Sequence, residues 1–268
     1  MAEWLVVVIL GVVEGITEFL PVSSTGHLLL VEQWLPFRES DTFLVVIQSG
    51  AAAAVLLVFK DRLAQLLTRW REPESRDYLV KLAAAFVITA AGGLVLKHFD
   101  VKLPETATPV AVATLVGGVL FIAVERWLAG KTGKTGKMVE MVTWTVAVAV
   151  GLAQLVAAVF PGTSRSGATI LIALVLGLAR PVAIEFSFLL GVPTLLAAGA
   201  LKVVSALRHP GAESLHPDLL VLGTMVSAVT AFASVRWLLR YVQSHTFEGF
   251  GWYRIALGAA VLAMAILR

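Results

Sequence analysis

The chain has 268 residues, of which 58% are hydrophobic and 15% charged, and its mean hydropathy is +0.87; a water-soluble domain carries roughly 25% charged residues. Too few polar side chains remain to cover a soluble surface, which excludes a cytosolic enzyme and makes lipid the expected solvent. The formal net charge of +3 comes without a dense Lys/Arg run, so no nucleic-acid partner is expected, and the absence of cysteine excludes disulfides, thiolate catalysis and iron–sulfur clusters.

In chain order, the N-terminal stretch lacks a basic flank and a small-residue cleavage site, and it is read as the first helix rather than a removable signal peptide. The apolar region Trp4–Val31 is interrupted near its middle by Pro, Gly, Ser and charged residues, so it does not read as an ordinary crossing. Uncharged stretches long enough to cross or nearly cross the hydrocarbon layer follow at Thr42–Phe59, Leu82–Leu96 and Thr106–Val124. A second interrupted region covers Met141–Ala179, followed by Phe186–Leu201, Leu219–Val235 and Ile255–Leu267. Lys81 and Lys97, and Trp252, Tyr253 and Arg254, flank the shorter spans and are expected to snorkel or anchor at the interface.

Laid on itself with an offset of 140, the sequence matches Gly11 with Gly151, Glu14 with Gln154, Pro21 with Pro161 and Ser24 with Ser164, and sets Ser23 against Thr163. This is a diverged duplication, with repeat one at about 1–126, repeat two at about 139–268 and a cytoplasmic linker at about 127–138, within a single membrane domain. Three full spans follow each interrupted segment. If the interrupted segments are re-entrant hairpins, that odd number inverts the second copy. The expected fold is therefore an all-α polytopic membrane protein with an inverted-topology repeat, six full transmembrane helices and two re-entrant helical hairpins meeting at a midplane pocket. Fourteen basic residues fall in or beside 60–81, 125–138, Arg180 and 236–254; the other side has Arg38, Lys97, Lys102, Lys202, Arg208 and Arg268. The first group is assigned to the cytoplasm, with Lys60–Lys81 as the largest cytoplasmic loop and both termini outside.

The first interruption places Glu14 and Glu18 four residues apart on one helical face, then Pro21, Ser23, Ser24, Thr25 and His27. Two buried carboxylates repel each other unless a proton or cation is shared, which suits acid/base chemistry or a divalent metal with oxygen ligands. Ser24 lies three residues before His27, so that imidazole is one candidate to activate its hydroxyl; His27 acting itself as nucleophile or base is the other. Ser23 and Thr25 read more simply as helix caps. The second interruption, Pro161-Gly162-Thr163-Ser164-Arg165-Ser166-Gly167-Ala168-Thr169, turns the chain into a new helix with amide donors, hydroxyls and one guanidinium. That pattern is an anion site, with Arg165 also available as a partner for Glu14 or Glu18. Ser166 and Thr169 suit either phosphate binding or capping.

The strings EGITEFLPVSSTGH at 14–27 and PGTSRSGATI at 161–170 resemble the undecaprenyl-diphosphate phosphatase family of bacitracin resistance, and the likeness extends through Phe43–Val55 and Glu185–Pro193 over essentially the whole chain. The resemblance implies a bacterial inner-membrane enzyme that hydrolyses undecaprenyl diphosphate to the monophosphate and inorganic phosphate, recycling the lipid carrier of peptidoglycan synthesis, with its site open to the periplasm. It also implies a divalent cation, Mg²⁺ or Ca²⁺, held by Glu14 and Glu18. The family's functional positions fall on Glu14, Glu18, Ser24, His27 and Arg165, with Thr163, Ser164, Arg165, Ser166 and Thr169 around the substrate phosphates. Ala158 stands where a second acid would repeat, so the duplicated site is asymmetric. The partners expected are a polyprenyl diphosphate and membrane lipids, with a homodimer left open. A different class, a lipid-phosphate flippase or ion-coupled transporter, shares the inverted repeat and is the rival reading.

Overall fold

The structure is a computed structural model and describes residues 2–35, 39–99, 106–132, 138–208 and 216–266. Among the described residues there are eleven helices: α1 Glu3–Thr17, α2 Ser24–Glu32, α3 Asp41–Val58, α4 Lys60–Thr68, α5 Pro73–His98, α6 Ala107–Thr132, α7 Trp144–Val159, α8 Arg165–Val175, α9 Arg180–Arg208, α10 Pro217–Tyr241 and α11 Glu248–Ile266. Six of them, α3, α5, α6, α9, α10 and α11, are long and apolar enough to cross a membrane. The protein is a multi-pass helical membrane protein. Large apolar side chains such as Leu94, Met225 and Val229 are exposed on the outer faces of these helices, where only lipid makes exposure favourable.

Local signals fix where helices begin. Ser40 and Thr143 accept hydrogen bonds from Phe43 N (3.1 Å) and Val146 N (3.3 Å) as caps of α3 and α7, and Pro73 and Pro217 open α5 and α10. Helices then pack in pairs: α1 on α10 and α7 on α5, α6 on α11, and α3 on both α9 and α10. Small residues bring the backbones close. A side chain at Gly11 would meet Gly223 O of α10, and one at Gly151 would meet Ala85 O of α5; Gly118 and Gly251 each face the other's carbonyl across α6 and α11.

Several sequence expectations change. The spans are longer than the uncharged stretches because charged residues near their ends are paired. Lys81 is 6% exposed, pairs with Asp77 and donates to Val142 O at 2.7 Å, so it is buried in α5 rather than snorkelling. Stretch 60–81 is mostly helical, holding α4 and the start of α5. Arg180 pairs with Glu125, whose Oε1 also accepts from Phe247 N at 2.9 Å, locking the ends of α6, α9 and α11 together. Helix α6 continues to Thr132, into the linker stretch. Positions 133–137 of that linker, with Lys134 and Lys137, and also Arg38, Lys102, Leu267 and Arg268, lie outside the described residues.

The largest difference concerns Arg254. It is fully buried in α11 and donates to Pro21 O (3.3 Å), Gly162 O (3.1 Å), Thr163 O (2.9 Å) and Thr114 O (3.3 Å), tying the turn after α1 and the turn after α7 to α6. Gly117 supplies the space, because a Cβ there would fall on the guanidinium. Only a planar fork with several donors reaches carbonyls from three segments. Arg254→Met is expected to cost at least about 3 kcal/mol by leaving Pro21 O and Thr163 O without their donor and by uncoupling the two turns. Loss of the monodisperse peak on heating in detergent, at a lower temperature than for the parent chain, checks this; Arg254→Lys should recover only part of it.

Candidate functional site

Each interrupted region folds as a helix, a turn and a second helix, and the two turns meet. Ser23 (φ 73°) and Ser164 (φ 68°) are the two non-glycine residues with positive φ among the described residues, and each caps the helix that follows, accepting from Gly26 N (3.3 Å) and Gly167 N (3.2 Å). The cap geometry therefore pairs Ser23 with Ser164, not Ser24 with Ser164 as the fixed offset does. The second turn holds one more residue, with Gly162 at φ +95° against Val110 O, where a Cβ would clash. With the register moved by one, Ser24 and Arg165 occupy matching first positions of α2 and α8.

Both then point at one carboxylate. Glu18 Oε2 accepts from Ser24 Oγ at 3.0 Å, and Glu18 Oε1 accepts from Arg165 Nη2 at 3.1 Å. The Arg165 guanidinium lies over the Phe19 ring at 5.0 Å, and its Nε and Nη1 have no partner among the described residues. Gly191 of α9 makes room for it, since any Cβ at 191 would overlap the guanidinium. Glu18, Ser24, Ser164 and Arg165 line a cavity of about 530 Å³, lined also by Gln48 of α3, Thr89 of α5, Gln154 of α7 and Thr194 of α9. Glu14, one turn below Glu18 and outside this lining, is fully buried, and neither of its oxygens has a donor among the described residues.

The other sequence-selected residues take different places. Ser166 is buried and donates to Glu18 O and Leu20 O, joining the second turn to the first. Thr169 donates back to Arg165 O and Ser166 O within α8. Thr163 lines a separate apolar cavity of about 500 Å³ between α6, α7 and α8. Of the amides 163–167, Thr163 N bonds Phe160 O and Gly167 N bonds the Ser164 hydroxyl.

His27 faces away from Ser24. Its Nδ1 sits 2.8 Å from Ser23 O and its Nε2 2.7 Å from Tyr253 Oη, and it lines a third cavity with Leu20, Trp237 and Tyr253. A carbonyl only accepts, so Nδ1 carries the proton and Nε2 accepts from the tyrosine hydroxyl. Sequence reading missed Tyr253 and Gly191 as supports of the site. Tyr253 is 226 positions from His27, and neither residue carries a local signal.

A carboxylate between a serine and an arginine, inside a bundle of helices long and apolar enough to cross a membrane, makes this a membrane-embedded polar site of the kind that intramembrane enzymes and transporters carry. The chain belongs to the family described as Bacitracin resistance protein BacA, which matches residues 7–260. An undecaprenyl-diphosphatase of Rhizobium etli (strain CIAT 652) is 49% identical over 258 residues, covering 96% of this chain and 95% of that protein. One from Xanthomonas oryzae pv. oryzae (strain PXO99A) is 46% identical over 263 residues, with 98% and 97% covered. These names are those of hydrolases, and the transporter reading is not favoured.

Proposed function

We propose that this protein hydrolyses undecaprenyl diphosphate to undecaprenyl phosphate and inorganic phosphate in the bacterial inner membrane, returning the lipid carrier to peptidoglycan synthesis and giving bacitracin resistance. The observation that carries this reading is Glu18 held between Ser24 and Arg165 on a cavity wall. Arg165 uses its unpartnered Nε and Nη1 on the diphosphate oxygens, and Ser164 adds a hydroxyl. Ser24 Oγ attacks the terminal phosphorus and gives its proton to Glu18, which already accepts its hydrogen bond in the resting site; the lipid monophosphate leaves with the electron pair of the broken bond and takes up that proton, so that Glu18 is again a carboxylate. Water then hydrolyses the phosphoserine. Positioning and charge neutralisation supply most of the acceleration, as phosphoryl transfer requires. Ser166 and Thr169 support the turn that presents Arg165, and His27 with Tyr253 borders the cavity against which an apolar chain packs.

A divalent cation fits Glu14 and Glu18. Glu14 is a buried carboxylate without a donor, one turn from a second carboxylate, and such an arrangement needs a proton or a cation. When bound, Mg²⁺ or Ca²⁺ supplies neutralisation of diphosphate charge.

The same reading takes α1–α2 and α7–α8 as re-entrant hairpins of an inverted repeat. It is supported by the exchange of partners, α1 with α10 and α7 with α5, and by the short bridge of Val139 with Leu178, which sets the two ends of the second unit side by side. The basic end of the spans is assigned to the cytoplasm and the active cavity to periplasmic access.

Purified full-length protein in detergent, given a prenyl diphosphate and divalent metal, should release inorganic phosphate; no release under these conditions would overturn the reading. Gly191→Ala should lower the rate about 10- to 100-fold by displacing Arg165 while the protein stays folded. Unchanged initial rates for this variant would remove Arg165 placement from the mechanism.

A further inference from the structure

One buried polar atom of a cavity-lining residue has no role in the chemistry described so far. Gln154 of α7 is 2% exposed, and its Nε2 donates to Thr89 Oγ1 at 2.9 Å. Thr89 Oγ1 in turn lies 3.1 Å from Ala85 O and 3.1 Å from Gly151 O. Carbonyls only accept, so the Thr89 hydroxyl hydrogen is directed to them and its oxygen is left as an acceptor. The Gln154 amide must therefore turn its NH₂ to Thr89. Its Oε1 is buried and has no donor among the described residues, and the residue itself lines the active cavity.

A buried acceptor without a donor costs about 1–3 kcal/mol, so whatever occupies the cavity near it has to bring an O–H or N–H. Diphosphate oxygens are acceptors and are repelled by an amide carbonyl. The divalent cation proposed above needs the two carboxylates of α1, and beside Gln154 the cavity-lining residues of α5 and α7 are Thr89, Ala157 and Ala158, which bring no further carboxylate. The remaining occupant is water. We propose that Gln154 Oε1 orients the water that hydrolyses the phosphorylated serine, and that Thr89 is the positioning residue that fixes the amide.

In that step the water oxygen bonds to phosphorus as the bond from phosphorus to Ser24 Oγ breaks. The serine oxygen keeps the electron pair and receives one water proton by way of Glu18, whose carboxylate is hydrogen-bonded to Ser24. Gln154 accepts a hydrogen bond from the second O–H and is neither protonated nor consumed. The proposal rests on the hydrolase reading above.

The test uses the full-length protein in detergent with farnesyl diphosphate as probe and methanol as a competing acceptor, measuring inorganic phosphate and methyl phosphate together. Gln154→Leu is expected to lower saturated phosphate release about 10- to 100-fold with KM within about threefold, and to raise the ratio of methyl phosphate to phosphate. Gln154→Glu, which keeps an acceptor in place, should restore the parent ratio. Thr89→Val, which removes one hydroxyl and tests the same point if Gln154→Leu does not fold, should shift the ratio in the same direction. A parent ratio in both Gln154→Leu and Thr89→Val would overturn the proposal while leaving the hydrolase reading intact. A parent chain that releases no phosphate would overturn both.

Discussion

Arg165→Ala should reduce phosphate release from a prenyl diphosphate by about a thousandfold or more. The guanidinium has two tasks that no neighbour duplicates. Its Nη2 holds Glu18 at 3.1 Å, and its Nε and Nη1 have no partner among the described residues, which leaves them for the proposed phosphate contacts. Removing a preorganised donor at a developing anionic charge costs about 10²–10³ in rate, and here several donors go at once. The change also leaves Glu18, 7% exposed, as a buried carboxylate without its cation and without the contact that holds it beside Ser24. Arg165→Lys should recover little, since an ammonium cannot address Glu18 and two phosphate oxygens in one plane. Initial rates at saturating metal, with elution from size exclusion as the control for folding, decide the matter. Release within about tenfold of the parent chain would mean that the phosphates are bound elsewhere.

Ser24→Ala should be equally severe, about 10³- to 10⁴-fold, because it removes the proposed nucleophile while leaving the Glu18–Arg165 pair in place. The sequence alone left Ser24 and His27 level. Geometry separates them: Ser24 Oγ already donates to a carboxylate at 3.0 Å, whereas the basic nitrogen of His27 is covered by Tyr253 at 2.7 Å on a different cavity. Quenching the reaction in acid during turnover of substrate labelled at its terminal phosphate distinguishes the two, since phosphoserine survives acid and phosphohistidine does not. Acid-stable label on the peptide containing Ser24 is the expected result. Label found only when quenching in base, on the peptide containing His27, would transfer the role to the imidazole.

Both outcomes turn on residues that stand out in the sequence for the same reason. An acid or an arginine inside an apolar stretch is costly enough to need a purpose, and the distance along the chain between Glu18 and Arg165 did not hide the pairing because the duplication predicted that the two turns converge. The duplication also supplied a wrong detail. A constant offset matched Ser24 to Ser164, but the extra residue at Gly162 moves the caps by one, and this shift is what sets a serine opposite an arginine at the start of the two helices. The hydroxyls of Ser166 and Thr169 looked equally suited to phosphate and to capping; backbone carbonyls of the turn after α1 and of α8 took them.

Composition, apolar length and helical spacing are local properties, so the chain by itself determined a membrane protein with six long spans, two broken segments and the identity of the polar groups they carry. Which face of a helix meets which neighbour is not local. The burial of Arg254 among carbonyls of both turns, the space left by Gly117 and Gly191 for two guanidiniums, the capping of His27 by Tyr253 and the orientation of the Gln154 amide by Thr89 exist only once helices distant in sequence are packed. Arg254 makes the reason plain: beside Trp252 and Tyr253 it reads as an interfacial anchor, and it is a buried clamp because α6 offers a glycine at the one place where a guanidinium can pass.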